Sequence, residues 1–171
     1  TMSEVSRSST MVPIETLRAA FNARAMAYAQ VFDVIRESDG VERAVEVLGE
    51  ATRRMGAIAG VRYSDLAPGN LAELKDRFLG DVPAVEEMFA PEIVRLDDER
   101  LVIQFHRCPL REAWQAMGRS DEDVELLCRA GSMVDRGVFE AAGFGFEAEN
   151  WHPGCNDRCF LKISPGAAKA A

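Results

Sequence analysis

No stretch of this sequence strings together the roughly 20 apolar residues that cross a bilayer as a helix. Its opening, TMSEVSRSST, has no apolar core of the kind a signal peptide needs. No membrane association is therefore expected, and a cytoplasmic setting is, where thiols stay reduced and a structural disulfide among the four cysteines is disfavoured. A basic stripe is missing as well. The formal net charge is −8, which argues against nucleic acid as a partner because phosphate binding needs clustered Lys and Arg. No Walker loop, dinucleotide fingerprint, G-x-S-x-G elbow or H-E-x-x-H helix occurs, so kinase, Rossmann and serine hydrolase readings have no support. There is no internal repeat. What is present is ordinary for a globular chain: 47% hydrophobic and 28% charged residues over 171 positions, a length that suits one domain burying about two-thirds of its unfolded surface.

Residues 1–12 read as a disordered arm, rich in Ser and Thr. From Ile14, the apolar positions Leu17, Phe21, Tyr28, Phe32 and Ile35 recur at helical spacing until "SDG" ends the segment. A second helix carries Val41, Val45, Leu48, Met55 and Ile58, interrupted by Gly49, Gly56 and Gly60, small residues that permit close helix contact or a kink. "YSDLAPGN" reads as a loop, and residues 70–90 as one or two short helices broken near "GDVP". The period then changes to two. "EIVRLDDERLVIQFHRC" holds two β-rich runs around Asp97-Asp98-Glu99, the pattern of a hairpin. "PLREAWQAMG" starts with a proline suited to a first helical turn. "SDEDVELLCRAGSMVDRGVFEAAG" has a Ser cap and an acidic first turn and predicts one helix running to Gly143. "FGFEAENW" and "RCFLKI" are the last strands, and residues 165–171 a tail. Helices, hairpin, helices, hairpin predict a single α+β domain over 13–164, with N-terminal helices and a C-terminal helix packed on one antiparallel sheet.

The residues able to carry chemistry lie late in the chain. Cys108 stands where a strand meets a helix, and a thiol at a helix N-terminus is favoured as the thiolate, which is the nucleophilic form. A small buried thiol fits the same place. His106 is two positions earlier and shares a strand face with Cys108 if the strand reaches that far. Arg107 and Arg111 supply positive charge for a substrate carboxylate. Cys128 and Asp135 lie seven apart, two turns along one face of the predicted helix, and a carboxylate on an apolar stripe is costly unless it is paired. Cys155 and Cys159 flank "NDR" in a turn-rich segment that also holds His152. Core filler, ligands of a metal such as zinc together with Cys108, a resolving thiol, or part of a reaction centre all fit that spacing.

Taken together, "CPLREAWQAMG", "ELLCRAGSMVDRGVFEAAGFGFE" and "GCNDRCFLKI" resemble the family of L-2-amino-thiazoline-4-carboxylic acid hydrolases over about residues 90–163. In that family a Cys-Pro opens a short helix, a Cys and then an Asp follow on the next, and a Cys-bearing strand closes the domain. Here these positions are Cys108-Pro109, Cys128, Asp135 and Cys159-Phe160. The resemblance implies hydrolysis of a carbon–nitrogen bond in a small cyclic amidine or thiazoline. In one route Cys108 is the nucleophile, with Asp135 and His106 as its proton-handling partners and with Arg107, Arg111, Cys128 and His152 around the substrate. In the other a metal-bound hydroxide attacks, with Cys155, Cys159, Cys108 and a histidine as ligands and Asp135 as general base. The closing segment is also similar to the 4-vinyl reductase-type domain, a small-ligand module that implies a homodimer and a binding or sensing role without turnover.

Overall fold

The computed structural model describes residues 12–167. Residues 1–11 and 168–171, which hold most of the expected arm and part of the expected tail, lie outside the described residues. Two helices, α1 (Ile14–Asp39) and α2 (Val41–Gly60), pack on each other and are joined by Gly40, whose φ of 90° is a left-handed conformation that suits glycine. A short 3-10 helix at Val61–Leu66 takes up the start of the segment expected to be a loop. α3 (Leu71–Gly80) is capped by Asn70, whose side chain accepts the Glu73 N–H. α4 (Val85–Phe89) is a single turn between Ala84 and Ala90, both left-handed, with φ of 48° and 45°.

The hairpin of β1 (Pro91–Leu96) and β2 (Leu101–Phe105) turns as expected. Asp97 Oδ1 accepts the N–H groups of Glu99 and Arg100 at 2.9 and 2.8 Å, which gives the turn its own hydrogen bonds. α5 (Pro109–Ala116) follows with Pro109 in its first turn. The single helix expected from Ser120 to Gly143 is in fact two, α6 (Asp121–Gly131) and α7 (Met133–Ala142), separated at Ser132. Glycine is a weak helix former, and the break falls beside Gly131, where the Trp114 ring sits 3.3 Å from where a Cβ would be. β3 (Gly145–Glu149) and β4 (Cys159–Ser164) complete the sheet.

The strand order is β1-β2-β4-β3, with every neighbour antiparallel. Leu101, Ile103 and Phe105 of β2 pair with Ile163, Leu161 and Cys159 of β4, so these side chains share the helix-facing side of the sheet. One core cluster joins this face to α3 and α7 through Phe78, Leu74, Phe139 and Phe146. A second lies among α1, α2, α5 and α6 around Phe32, Leu48, Trp114 and Leu127. Trp114 donates to the Ala25 carbonyl at 2.8 Å and ties α5 to α1.

α2 and α7 pack backbone against backbone. A Cβ at Gly56 would lie 1.9 Å from the Val134 carbonyl oxygen, one at Gly60 2.1 Å from that of Val138, and one at Gly137 2.0 Å from that of Arg53. Real Cβ atoms do not approach that closely, so the two backbones meet only because these positions lack one. Among the described residues no helix is long and apolar enough to cross a membrane.

Candidate active site

Between the two core clusters lies a cavity of about 330 Å³. Phe78, Phe105, Val138 and Leu161 line it from one cluster, and Leu110, Trp114 and Trp151 from the other. Phe89 of α4 adds its ring, packed at 5.3 Å from Phe105 and 5.8 Å from Phe21 between ring centres. Into this apolar space project Cys108, Cys128, Cys159, Asp135, Arg111, Arg107 and Arg24.

Cys108 is the N-cap of α5, in extended backbone. Burial pushes its thiol pKa up, while the N–H groups of Leu110 and Arg111 and the Arg111 guanidinium act in the opposite direction. Cys128 on α6 is driven up by burial and by neighbouring Cys108. The Cys159 thiol is pushed up to about 12, again chiefly by burial. Asp135 stands in the first turn of α7 with its carboxyl in the apolar cavity. Burial raises its pKa to about 7, with Arg24 pulling the other way.

The two arginines expected at the site differ in what they have left to offer. Arg107 is committed: Nε and Nη2 each donate to Glu112 at 2.9 Å, and Nη1 to the Glu87 carbonyl. Arg111 is only 3% exposed, donates through Nη1 to the Asp157 carbonyl at 3.0 Å, and keeps a buried Nε with no hydrogen-bond partner. A buried guanidinium without a carboxylate calls for an anion. The loop over 150–158 is built to reach it: Asn156 and Asp157 adopt left-handed backbone and return the Asp157 carbonyl to Arg111, while the Asp157 carboxylate accepts from Trp151 Nε1 at 3.1 Å.

Other expected residues stand elsewhere. β2 ends at Phe105, so His106 shares no strand face with Cys108; it is exposed, with Nε2 2.7 Å from Glu92 Oε2. His152 and Cys155 border an adjoining hollow with Glu149 and Arg158, which shares Asn150 and Phe160 with the main cavity, and Cys155 packs, like Cys108 and Cys128, on the second core cluster. Cys155 Sγ accepts the His152 N–H at 3.4 Å and faces the Arg158 carbonyl at 3.5 Å. Among the described residues no group of three or more His, Cys, Asp or Glu side chains is disposed to hold a metal ion. Arg24 is a charged cavity residue that no sequence motif singles out. It occupies the gap between Phe21 and Tyr28 on the inward stripe of α1, donates to the Tyr28 hydroxyl at 3.0 Å and lies over both rings. A charge at that stripe position was the available signal.

The sequence matches the family described as L-2-amino-thiazoline-4-carboxylic acid hydrolase over residues 18–160, which takes in the helical half as well as the three cysteine-bearing segments. No curated protein sequence matches it. Among solved structures it is similar to a trafficking protein particle complex subunit 3 from Naegleria fowleri, covalently bound to palmitic acid. That likeness has 15% identity and a TM-score of 0.50, covers 90% of this chain and 99% of the other, and speaks for the fold alone.

Proposed function

Because the chain belongs to the L-2-amino-thiazoline-4-carboxylic acid hydrolase family, hydrolases of carbon–nitrogen bonds other than peptide bonds, we propose that its cavity opens the ring of a cyclic amidine carboxylate with Cys108 as nucleophile, Asp135 as proton carrier and Arg111 as carboxylate anchor. The observation that supports this reading is the meeting, in one apolar cavity, of a buried guanidinium lacking a partner and a carboxyl held near neutrality beside a helix-capping thiol. An amidine carboxylate carries the complementary charges, an anion for Arg111 and N–H donors for Asp135.

Burial keeps Cys108 protonated at rest, so the thiol needs a base at the moment of attack. Asp135 takes that proton as the sulfur bonds to the amidine carbon. The ring carbon–nitrogen bond then breaks, and the proton passes from Asp135 to the departing nitrogen. Water, deprotonated by Asp135, adds to the same carbon. The carbon–sulfur bond breaks and Cys108 recovers its proton. A carboxyl poised near 7 suits both transfers, because general acid–base catalysis is most efficient when the pKa lies close to working pH. The N–H groups at the start of α5 and the Arg111 guanidinium stabilise the sulfur while it carries charge.

Purified protein, Cys108→Ala and Asp135→Asn are to be assayed with 2-amino-thiazoline-4-carboxylate. A loss of about 100-fold or more is expected in each variant. A mass increase on Cys108 after rapid acid quench would register the adduct. Equal turnover by Cys108→Ala would remove the nucleophile from the scheme. A second reading, a module that holds a ligand without converting it, draws on the same apolar lining; ligand retention with no turnover of any amidine would select it.

A further inference from the structure

The cavity is larger and more apolar than a bare thiazoline carboxylate requires. An apolar cavity of about 150 Å³ is enough to take a benzene ring. At about 330 Å³, this one has room for a five-membered heterocycle and a second group of ring size. The groups that suit the heterocycle and its carboxylate come from the start of α5, from α7 and from Arg24 of α1. The wall supplied by the end of α3, the connection after it and α4 is different. Phe78, Val82, Pro83 and Phe89 offer no polar side chain, and Asp81 beside them already accepts from the Tyr63 hydroxyl at 2.6 Å. A small polar substrate on Arg111 would leave that wall against water, whereas an apolar substituent would bury it.

We infer that this chain selects a cyclic amidine carboxylate bearing an aromatic or branched apolar substituent of ring size, which lies against Phe78, Val82 and Phe89 while the carboxylate sits on Arg111. The inference deepens the hydrolase reading and rests on it for the heterocycle, but the apolar selection can be tested without turnover. Trp114 and Trp151 both line the cavity, so occupancy changes an intrinsic fluorescence signal.

The probes are butyrate and 4-phenylbutyrate, titrated by tryptophan fluorescence and calorimetry. Burying a phenyl group is expected to tighten binding by about 10- to 100-fold over butyrate. Arg111→Gln is expected to weaken both acids. Val82→Trp, which fills the apolar end, is expected to remove most of the phenyl gain and leave butyrate as it was. Should Val82→Trp fail to fold, Phe89→Ala serves in its place, with a loss of about tenfold for 4-phenylbutyrate alone. In turnover, a phenyl group on the ring carbon of the thiazoline is expected to raise kcat/KM at least tenfold. Phenylbutyrate and butyrate bound equally, with thiazoline hydrolysis intact, would overturn the selection and leave the hydrolase standing. The phenyl gain with no amidine hydrolysed would uphold the selection and remove the hydrolase.

Discussion

Arg24 on α1 and Asp135 on α7 face one cavity, and the guanidinium draws down a carboxyl that burial pushes up. Cys108 and Cys159, the thiols beside them, stay protonated through the neutral range because burial raises both. Arg107 is neutralised by Glu112, and Arg111 by its ligand in the proposed complex. The balance between apolar surroundings and one cation therefore sets the proton affinity of Asp135.

From this balance follows a pH profile. Turnover is expected to rise with pH and level off above about 7, as Asp135 takes its basic form. Arg24→Leu removes the opposing charge, so the rise is expected at higher pH. A displacement of about one unit would cut the basic fraction at pH 7 roughly fivefold. kcat/KM measured from pH 5 to 9 for both proteins checks this, and superimposable profiles would separate Arg24 from Asp135.

The same carboxyl links pH to stability with a definite sign. Folded, Asp135 keeps its proton to about pH 7, while the unfolded chain releases it near 3.8. The unfolded chain thus binds fewer protons across that window, and stability contributed by the neutral acid is full below pH 3.8 and lost as pH rises to about 7. Asp135→Asn is expected to raise stability at pH 8 by about 2–4 kcal/mol and to change it little at pH 4. Urea midpoints at the two pH values give the answer, and a destabilised Asn variant at pH 8 would contradict it.

Arg111→Lys keeps the charge but loses the planar fork. It cannot hold the Asp157 carbonyl and a carboxylate with the same geometry, so KM is expected to rise about 10- to 100-fold with a smaller change in kcat. Steady-state kinetics distinguish this from a loss confined to kcat, which would assign Arg111 to the chemical step.

The seam between α2 and α7 makes a purely steric prediction. Gly56→Ala or Gly137→Ala forces a methyl against a carbonyl about 2 Å away and is expected to cost about 3 kcal/mol or more. Gly69→Ala, with nothing within 4 Å, is the control and is expected to be near neutral. Thermal unfolding of the three variants decides it.

Much of the architecture could be read from local pattern. The alternation in Leu101, Ile103 and Phe105 and the Asp97 turn announce the hairpin, and Pro109 after Cys108 announces the helix start. Gly131 is visible in the sequence, but its packing against an indole from another helix is recorded by no local pattern. His106 shares a strand face with Cys108 only if the strand reaches Cys108, and β2 stops three residues before it, at Phe105. Cys155 and His152 sit near Cys159 in sequence yet line the adjoining hollow and not the main cavity, with the left-handed residues Asn156 and Asp157 between them. Arg24 and the volume of the cavity depend on how two separate cores abut, a property of pairs of distant segments that hydrophobic period does not encode.

The backbone contact at the seam makes the cavity resemble a vice with one fixed jaw. α7, holding Asp135, Val134 and Val138, can neither slide nor rotate on α2 without driving carbonyls into Gly56, Gly60 or Gly137. The opposite jaw, Val82, Pro83 and Phe89, makes no such glycine contact: Phe89 packs on Phe21 and Phe105, and the carbonyls of Phe89 and Ala90 accept the N–H groups of Arg107 and His106. Libraries meant to change ligand size should randomise the side chains of that jaw and leave the glycines untouched. Variants recovered with new preferences are expected to keep the Asp135 pH limb of the parent.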